Sequence, residues 1–545
     1  MTHTCNKCGI PFEIRDEDRK FYAQFDMQGP EMCPECRLQH RLNFRNERIL
    51  YKRKSSLSGK PIISIYHDQH RYPVYAVDEW WGDKWDALDY GQDFDFRRSF
   101  FEQFQELLLK VPRIALFNVN PENSDYCQQA YNNRNCYLCT VVKDSEDSQY
   151  LTHTNKAKDS YDCSHTQNIQ LSYECLDSDK LYECIECQGC QNSHNLSYCY
   201  DCIGCSDSLG CSGLRNKKYH IFNKPYSKEE YTQKITSLEL RKYSNYQKYK
   251  NHFKNIAMKA IHRPDWNLNT DECIGNYLIN SKNSYQCFDA FEIQDCAYST
   301  WIFESRDCSD IYGMGTSNYV YSSVGVENLN NCAFCTFVSD SNDVMYSDLC
   351  FYSSDLFGCV SLRKKKHCIL NKQYSPEEYV ALKAKIIEHM KKTAEWGKFF
   401  PVSLSSYAYN ETVAQEYFPL SEQEILAQGF LWRNENMKEY QPASILIPDD
   451  ILEAKDDILS GILSCETCKK NYKITSPELK FYRNLQIPIP HKCPYCRYMD
   501  RFHLRNPRGL HERTCGKCEK RILTTYGMER SERVYCESCY LQEIN

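Results

Sequence analysis

The sequence predicts a multidomain α+β protein. Four-cysteine modules at both ends flank two duplicated Cys- and Tyr-rich β-solenoid (β-helix-like) segments, each closed by a helix. Three observations predict it. A shift of 460 carries Cys5, Cys8, Cys33 and Cys36 onto Cys465, Cys468, Cys493 and Cys496, and Phe21-Tyr22 onto Phe481-Tyr482, without a gap. A shift of 148 carries DSLGCSGLRNKKYHIFNKPYSKEEY at 207–231 onto DLFGCVSLRKKKHCILNKQYSPEEY at 355–379. Upstream of each block, short segments rich in Tyr, Cys, Ser, Asn and Asp recur about every dozen residues, and two such beats give a solenoid repeat of about 24.

Each element follows in chain order. Residues 1–50 form a metal module. The 460 register runs on into 51–81, where Ser55, Ser58, Ala76 and Glu79 stand at the places of Cys515, Cys518, Cys536 and Cys539, so this module is degenerate and metal-free. The connector 82–120 holds a helix capped by Ser99 and Glu102, with Phe100, Phe101, Phe104, Leu107 and Leu108 on one face and Pro112 as its stop. Trp80, Trp81 and Trp85 are expected to pack the degenerate module onto that helix. The first solenoid repeat occupies 121–240 and the second 271–393, around a basic connector at 241–270. Ser227-x-x-Glu230 and Ser375-Pro376-Glu377-Glu378 are capping boxes that start the closing helices, which explains their glutamates without general acid–base chemistry. A linker with short helices, one capped at Ser421, spans 394–460, and metal modules fill 461–510 and 511–545.

Paired CxxC knuckles bring four thiolates around one tetrahedral ion, and modules this small lack the core to fold without it. The spacing C-x2-C-x24-C-x2-C occurs twice and C-x2-C-x17-C-x2-C once, at Cys515, Cys518, Cys536 and Cys539. About three zinc ions are therefore expected. All four positions of each site are thiolates, which leaves no open position for catalysis. In the middle of the chain Cys184, Cys187, Cys202 and Cys211 recur as Cys332, Cys335, Cys350 and Cys359. These are either a second class of metal ligand or small apolar packing residues of a narrow interior.

The chain has 545 residues, 33 cysteines and a net charge of -6. The polar start and the lack of a long apolar run predict a cytoplasmic protein with reduced thiols and no membrane partner. Arg37, Arg41, Arg45 and Arg48 follow the last knuckle at helical spacing, and Arg497, Arg501, Arg505 and Arg508 repeat them. Such a row suits phosphates or carboxylates, or is a solvated or salt-bridged helix face. Arg215, Lys217, Lys218 and Lys224, with Arg363, Lys365, Lys366 and Lys372, form a second basic set, and 241–263 interleaves basic and aromatic residues.

With CxxC, a central FY pair and CPxCR (Cys33-Pro34-Glu35-Cys36-Arg37), each end resembles the zinc-ribbon (treble-clef) family over roughly 40 residues. The resemblance implies zinc and no activity. The whole chain is similar to large uncharacterised Cys-rich zinc-binding proteins of reduced-genome bacteria, through EWW at 79–81, the LRxKK…NKxYSxEEY repeats and AYNETVAQEYFPLSEQE at 408–424. No GxSxG, HExxH, Walker loop or dinucleotide fingerprint is present, so the reading leans away from an enzyme. The leading expectation is a zinc-binding, non-enzymatic scaffold that meets RNA, a ribonucleoprotein or a protein complex through its arginine stripes. The alternative is a redox or metal-handling protein using the central cysteines. A polysaccharide hydrolase or lyase would rest on fold analogy alone.

Overall fold

Parallel strands paired at a step of 12 residues, 11 at the start of the second segment, run through both central segments of the computed structural model, which describes residues 2–434 and 440–544. The chain divides into two compact units that interleave along the sequence. Unit 1 joins Met1–Leu116 to Asp265–Asn434, and unit 2 joins Phe117–Pro264 to Glu435–Asn545. The N-terminal modules thus share a unit with the second repeat, and the C-terminal modules share one with the first. No helix among the described residues is long and apolar enough to cross a membrane.

Unit 2 carries a ten-stranded sheet from Asn118–Val119 to Lys224–Pro225, and unit 1 a nine-stranded sheet from Ile274–Ile279 to Lys372–Gln373. Both are parallel until an antiparallel last pair. The step is half the 24-residue repeat read from the sequence: Thr152 pairs with Ser164, and Ser164 with Leu176. Every third side chain is buried, as at Cys127, Ala130, Asn133 and Cys136 and again at Cys139, Val142, Ser145 and Ser148. Small polar residues fit this interior because they satisfy its main chain. Ser145 Oγ donates to the Lys143 carbonyl and accepts from Ala157 N at 3.0 Å, and Ser148 does the same toward Glu146 and Ser160.

The residue before each inward position has positive φ, for example Asn132 (53°), Asn135 (53°) and Asp162 (55°). Non-glycine residues give up on the order of 1 kcal/mol there, least for Asn and Asp, which accounts for the composition. Their amides stack across steps: Asn123 bonds Asn135 at 3.0 Å and Asn135 bonds Asp147 at 2.8 Å.

The helices form where their caps place them. Phe100–Lys110 starts at Ser99, which accepts from Glu102 N, and buries the five expected apolar residues. Lys228–Ser237 and Pro376–Lys392 begin at Ser227 and Ser375 with both capping-box bonds made, so Glu230 and Glu378 act as caps. Glu422–Ala427 starts likewise at Ser421. The basic connector forms the helix Tyr243–Lys259, which buries Tyr246 and Phe253 and leaves Lys248, Lys254 and Lys259 exposed.

The tryptophans meet both the Phe100–Lys110 helix and the sheet: Trp85 packs against the core cluster that holds Phe100, Phe104 and Leu108. Trp80 is buried and donates to Pro112 O at 3.1 Å, while the Arg363 guanidinium lies over Trp80, Trp81 and Trp85 at 5.1, 5.9 and 5.0 Å. Arg363 supplies a flat charged partner for all three rings.

Candidate metal centres

Three groups of four cysteines bring their sulfurs within 4.8 Å of one another: Cys5, Cys8, Cys33 and Cys36; Cys465, Cys468, Cys493 and Cys496; Cys515, Cys518, Cys536 and Cys539. Each can hold a metal ion. The first knuckle turns on a positive-φ residue, Gly9 (73°), whose N–H bonds Cys5 O at 3.0 Å. Lys469 (62°) and Glu519 (60°) hold the same turn in the later copies. The second knuckle ends at a helix: Cys33 and Cys493 are N-caps of Pro34–Leu42 and Pro494–Phe502, where proline at the first position costs no hydrogen bond. Across the knuckles Cys8 and Cys33 sulfurs are 3.8 Å apart, and Cys468–Cys493 and Cys518–Cys536 are each 3.7 Å apart.

At least one thiol in each site is primed for ionisation. Burial opposes the charge on Cys5, but main-chain bonds from Cys33, Cys8 and Lys7 outweigh it and bring the thiol down to about 6. The same balance brings Cys465 to about 7 and Cys515 to about 6. Thiolates are the species that bind metal.

The degenerate module keeps the hairpin of the intact one. Tyr51–Lys54 pairs with Pro61–Ser64 in the register of His511–Thr514 with Arg521–Thr524. A hydrogen-bond network stands where the thiolates would be. The Glu79 carboxylate accepts from the hydroxyls of Ser55 and Ser58 and from Ala76 N at 3.2 Å. Leu57 N donates to Ser55 Oγ at 3.2 Å, as Lys517 N donates to Cys515 Sγ at 3.4 Å in the intact module. Burial works against the Glu79 charge, but the two serines hold its carboxyl below the usual range.

The arginine stripes point inward. Arg41 is 1% exposed and Arg501 2%. Arg37 Nε and Arg41 Nη1 reach Asp310 at 2.8 and 3.0 Å, Arg45 reaches Glu47 at 2.6 Å, and Arg48 reaches Glu416 at 3.0 Å. Arg497 and Arg501 meet Asp162 at 2.9 and 3.4 Å, Arg505 meets Asp177 at 3.0 Å, and Arg508 is half-buried. Neither stripe is an exposed guanidinium row: of the readings the spacing left open, these contacts match the salt-bridged face, with Asp310 and Asp162 each meeting two of the arginines. Asp162 and Asp310 were not singled out from sequence. The signal was there, because they are 148 apart, as their arginine partners are 460 apart.

The central cysteines are likewise inside. Cys184 Sγ lies 3.4 Å from Tyr182 O, Cys187 3.5 Å from Ile185 O, Cys202 3.5 Å from Tyr200 O and Cys211 3.4 Å from Leu209 O. Cys332, Cys335, Cys350 and Cys359 make the equivalent contacts to Asn330, Ala333, Asp348 and Phe357. Cysteine and serine are interchangeable at these inward positions, each donating two residues back. Among the described residues these eight form no ligand group of the kind seen at the ends.

In comparison with known proteins, no family model matches the chain and no curated protein matches it.

Proposed function

We propose that the protein is a non-enzymatic scaffold: two β-solenoids, each clamped to terminal zinc-ribbon modules, with three structural zinc ions. The sulfur spacing of 3.7–3.8 Å carries the zinc reading, since four thiolates about 2.3 Å from a tetrahedral zinc lie about 3.8 Å apart. Ladder pairing at 12 residues with every third residue inward supports a solenoid coil of four three-residue sides. Four thiolates fill the coordination of each ion, so the metal holds structure and offers no position to a substrate.

The arginines support the same reading, because Arg37 and Arg41 in unit 1, and Arg497, Arg501 and Arg505 in unit 2, tie a terminal module to a ladder carboxylate. An acidic partner, RNA included, would meet exposed lysines instead, and Lys217, Lys218 and Lys224 of unit 2 present such a set. In unit 1 the corresponding Lys365 and Lys372 are engaged by Asp86 and Asp93 at 2.7 and 2.6 Å. The redox alternative is disfavoured by burial: the central thiols named above are at most 1% exposed.

Cobalt(II) substitution tests the closed-site reading. Tetrathiolate spectra that added azide leaves unchanged support it. An azide-dependent shift of the visible bands would show an open coordination position and return the sites to chemistry.

A further inference from the structure

The two units surround equivalent arginines with different residues. In unit 2, Arg501 is flanked by Asp162 and, at 3.8 Å, by Glu174. Glu174 and Glu186 share the Lys250 ammonium at 2.5 and 2.6 Å. In unit 1 the shift of 148 puts Ser322 at the place of Glu174 and Phe334 at the place of Glu186. Phe101 takes the place of Lys250. Lys250 lies twelve residues before His262, which pairs with Val534, and Phe101 lies twelve before Arg113, which pairs with the equivalent Val74.

Unit 1 has at these positions a cavity of about 1030 Å³, lined by Arg37, Arg41, Phe101, Tyr321, Ser322 and Phe334 among others. Arg41 Nη1 bonds Asp310, but its Nε and Nη2 have no hydrogen-bond partner, nor has Arg37 Nη2; Arg497 Nη2 and Arg501 Nη1 and Nη2 of unit 2 have none either, but there Glu174 adds a second carboxylate 3.8 Å from Arg501. In unit 1 one carboxylate therefore serves two buried guanidinium groups. The acidic residues on the cavity wall are engaged elsewhere: Glu395 accepts from Phe100 N and Phe101 N at 2.9 and 2.8 Å, Asp26 meets Lys391 at 2.8 Å, and Glu31 meets Asn6 at 3.0 Å.

We propose that this cavity binds a small organic anion, with its carboxylate or phosphate on Arg41 and Arg37 and its apolar body against Phe101, Tyr321 and Phe334. A planar guanidinium fork matches either head group, and aromatic walls with a few fixed polar groups are the ordinary make-up of a ligand pocket. In unit 2 Glu174 brings a carboxylate within 3.8 Å of Arg501, where unit 1 has Ser322.

Calorimetric titration of the full-length, metal-loaded protein with benzoate and with phenyl phosphate tests this, with benzamide as the neutral control. One saturable site per chain is expected, with an anion bound roughly tenfold or more tighter than benzamide. Tighter benzoate assigns a carboxylate head group, and tighter phenyl phosphate a phosphate. Ser322→Glu, which installs the carboxylate of unit 2, should lower affinity by a similar factor while metal content and the circular dichroism spectrum stay unchanged. Arg41→Gln should do the same. No saturable binding of either anion, equal binding of benzamide, or unchanged affinity in Ser322→Glu would overturn the proposal.

Discussion

Arg497 and Asp162 stand 335 residues apart in the chain and 2.9 Å apart in unit 2. Their counterparts in unit 1, Arg37 and Asp310, are 2.8 Å apart. A second pair repeats alongside: Tyr150 donates to Glu478 at 2.9 Å in unit 2, and Tyr298 to Asp18 at 2.7 Å in unit 1. Two duplications with different offsets thus reproduce one docking arrangement, in which a module's acid and arginines meet the ladder's tyrosine and aspartate.

Breaking that arrangement from the ladder side should destabilise the unit. Asp162→Ala leaves Arg497 and Arg501 buried with no shared counter-charge, which costs about 3–5 kcal/mol. Denaturant unfolding followed on unit 2 should show a loss of that size. A change under about 1 kcal/mol would place the pair among interactions of surface strength.

Restoring cysteine to the degenerate module should restore a metal site. The hairpin register is kept, so Ser55→Cys, Ser58→Cys, Ala76→Cys and Glu79→Cys together should raise metal content by one ion per chain. The single change Glu79→Ala should lower the thermal midpoint, since it strips the acceptor from Ser55, Ser58 and Ala76 N.

Unit 2 should lose stability as pH rises from about 4.5 to about 8. Burial raises Glu186 to about 8, with Lys250 pulling it down and Glu174 pushing it up. The folded form then holds a proton that the unfolded chain releases above its ordinary value of 4.5. The stabilisation is full below that value and lost as pH passes through 8. Against its own burial, Lys250 and Arg501 hold Glu174 down to about 2, so its contribution changes only at lower pH. Glu186→Gln should flatten the slope of unfolding midpoint against pH between 5 and 8, and an unaltered slope would assign it to other groups.

Native thiol titration should find very little. Outside the metal sites Cys273 is half-buried and every other cysteine is buried. In the metal-loaded protein an Ellman reagent should react quickly with about one thiol, and with many more only after denaturation. Rapid reaction of a set of central thiols would revive the redox reading.

The local signals in the sequence were strong ones. Knuckle spacing located the three four-cysteine groups, and Ser99, Ser227, Ser375 and Ser421 marked helix starts that the structure places at those residues. The Asn and Asp corners were legible because few other residues adopt positive φ cheaply. The ladder step was not: a beat of twelve does not say which segments pair, and only hydrogen-bond register does. Nor was the arginine burial. Arg37 and Arg41 at helical spacing look alike facing water or facing Asp310, whose role depends on a contact 273 residues away. The interleaving of modules and ladders is likewise long-range, and no local pattern reports it.

Metal content per chain, measured by mass spectrometry on protein purified without added metal, tests the central claim most directly. The account gives three zinc ions, one for each four-cysteine group, with none at Ser55, Ser58, Ala76 and Glu79 and none in the ladders. Five ions, or iron in stoichiometric amount, would put metal among Cys184, Cys187, Cys202, Cys211 and their counterparts, and would contradict it.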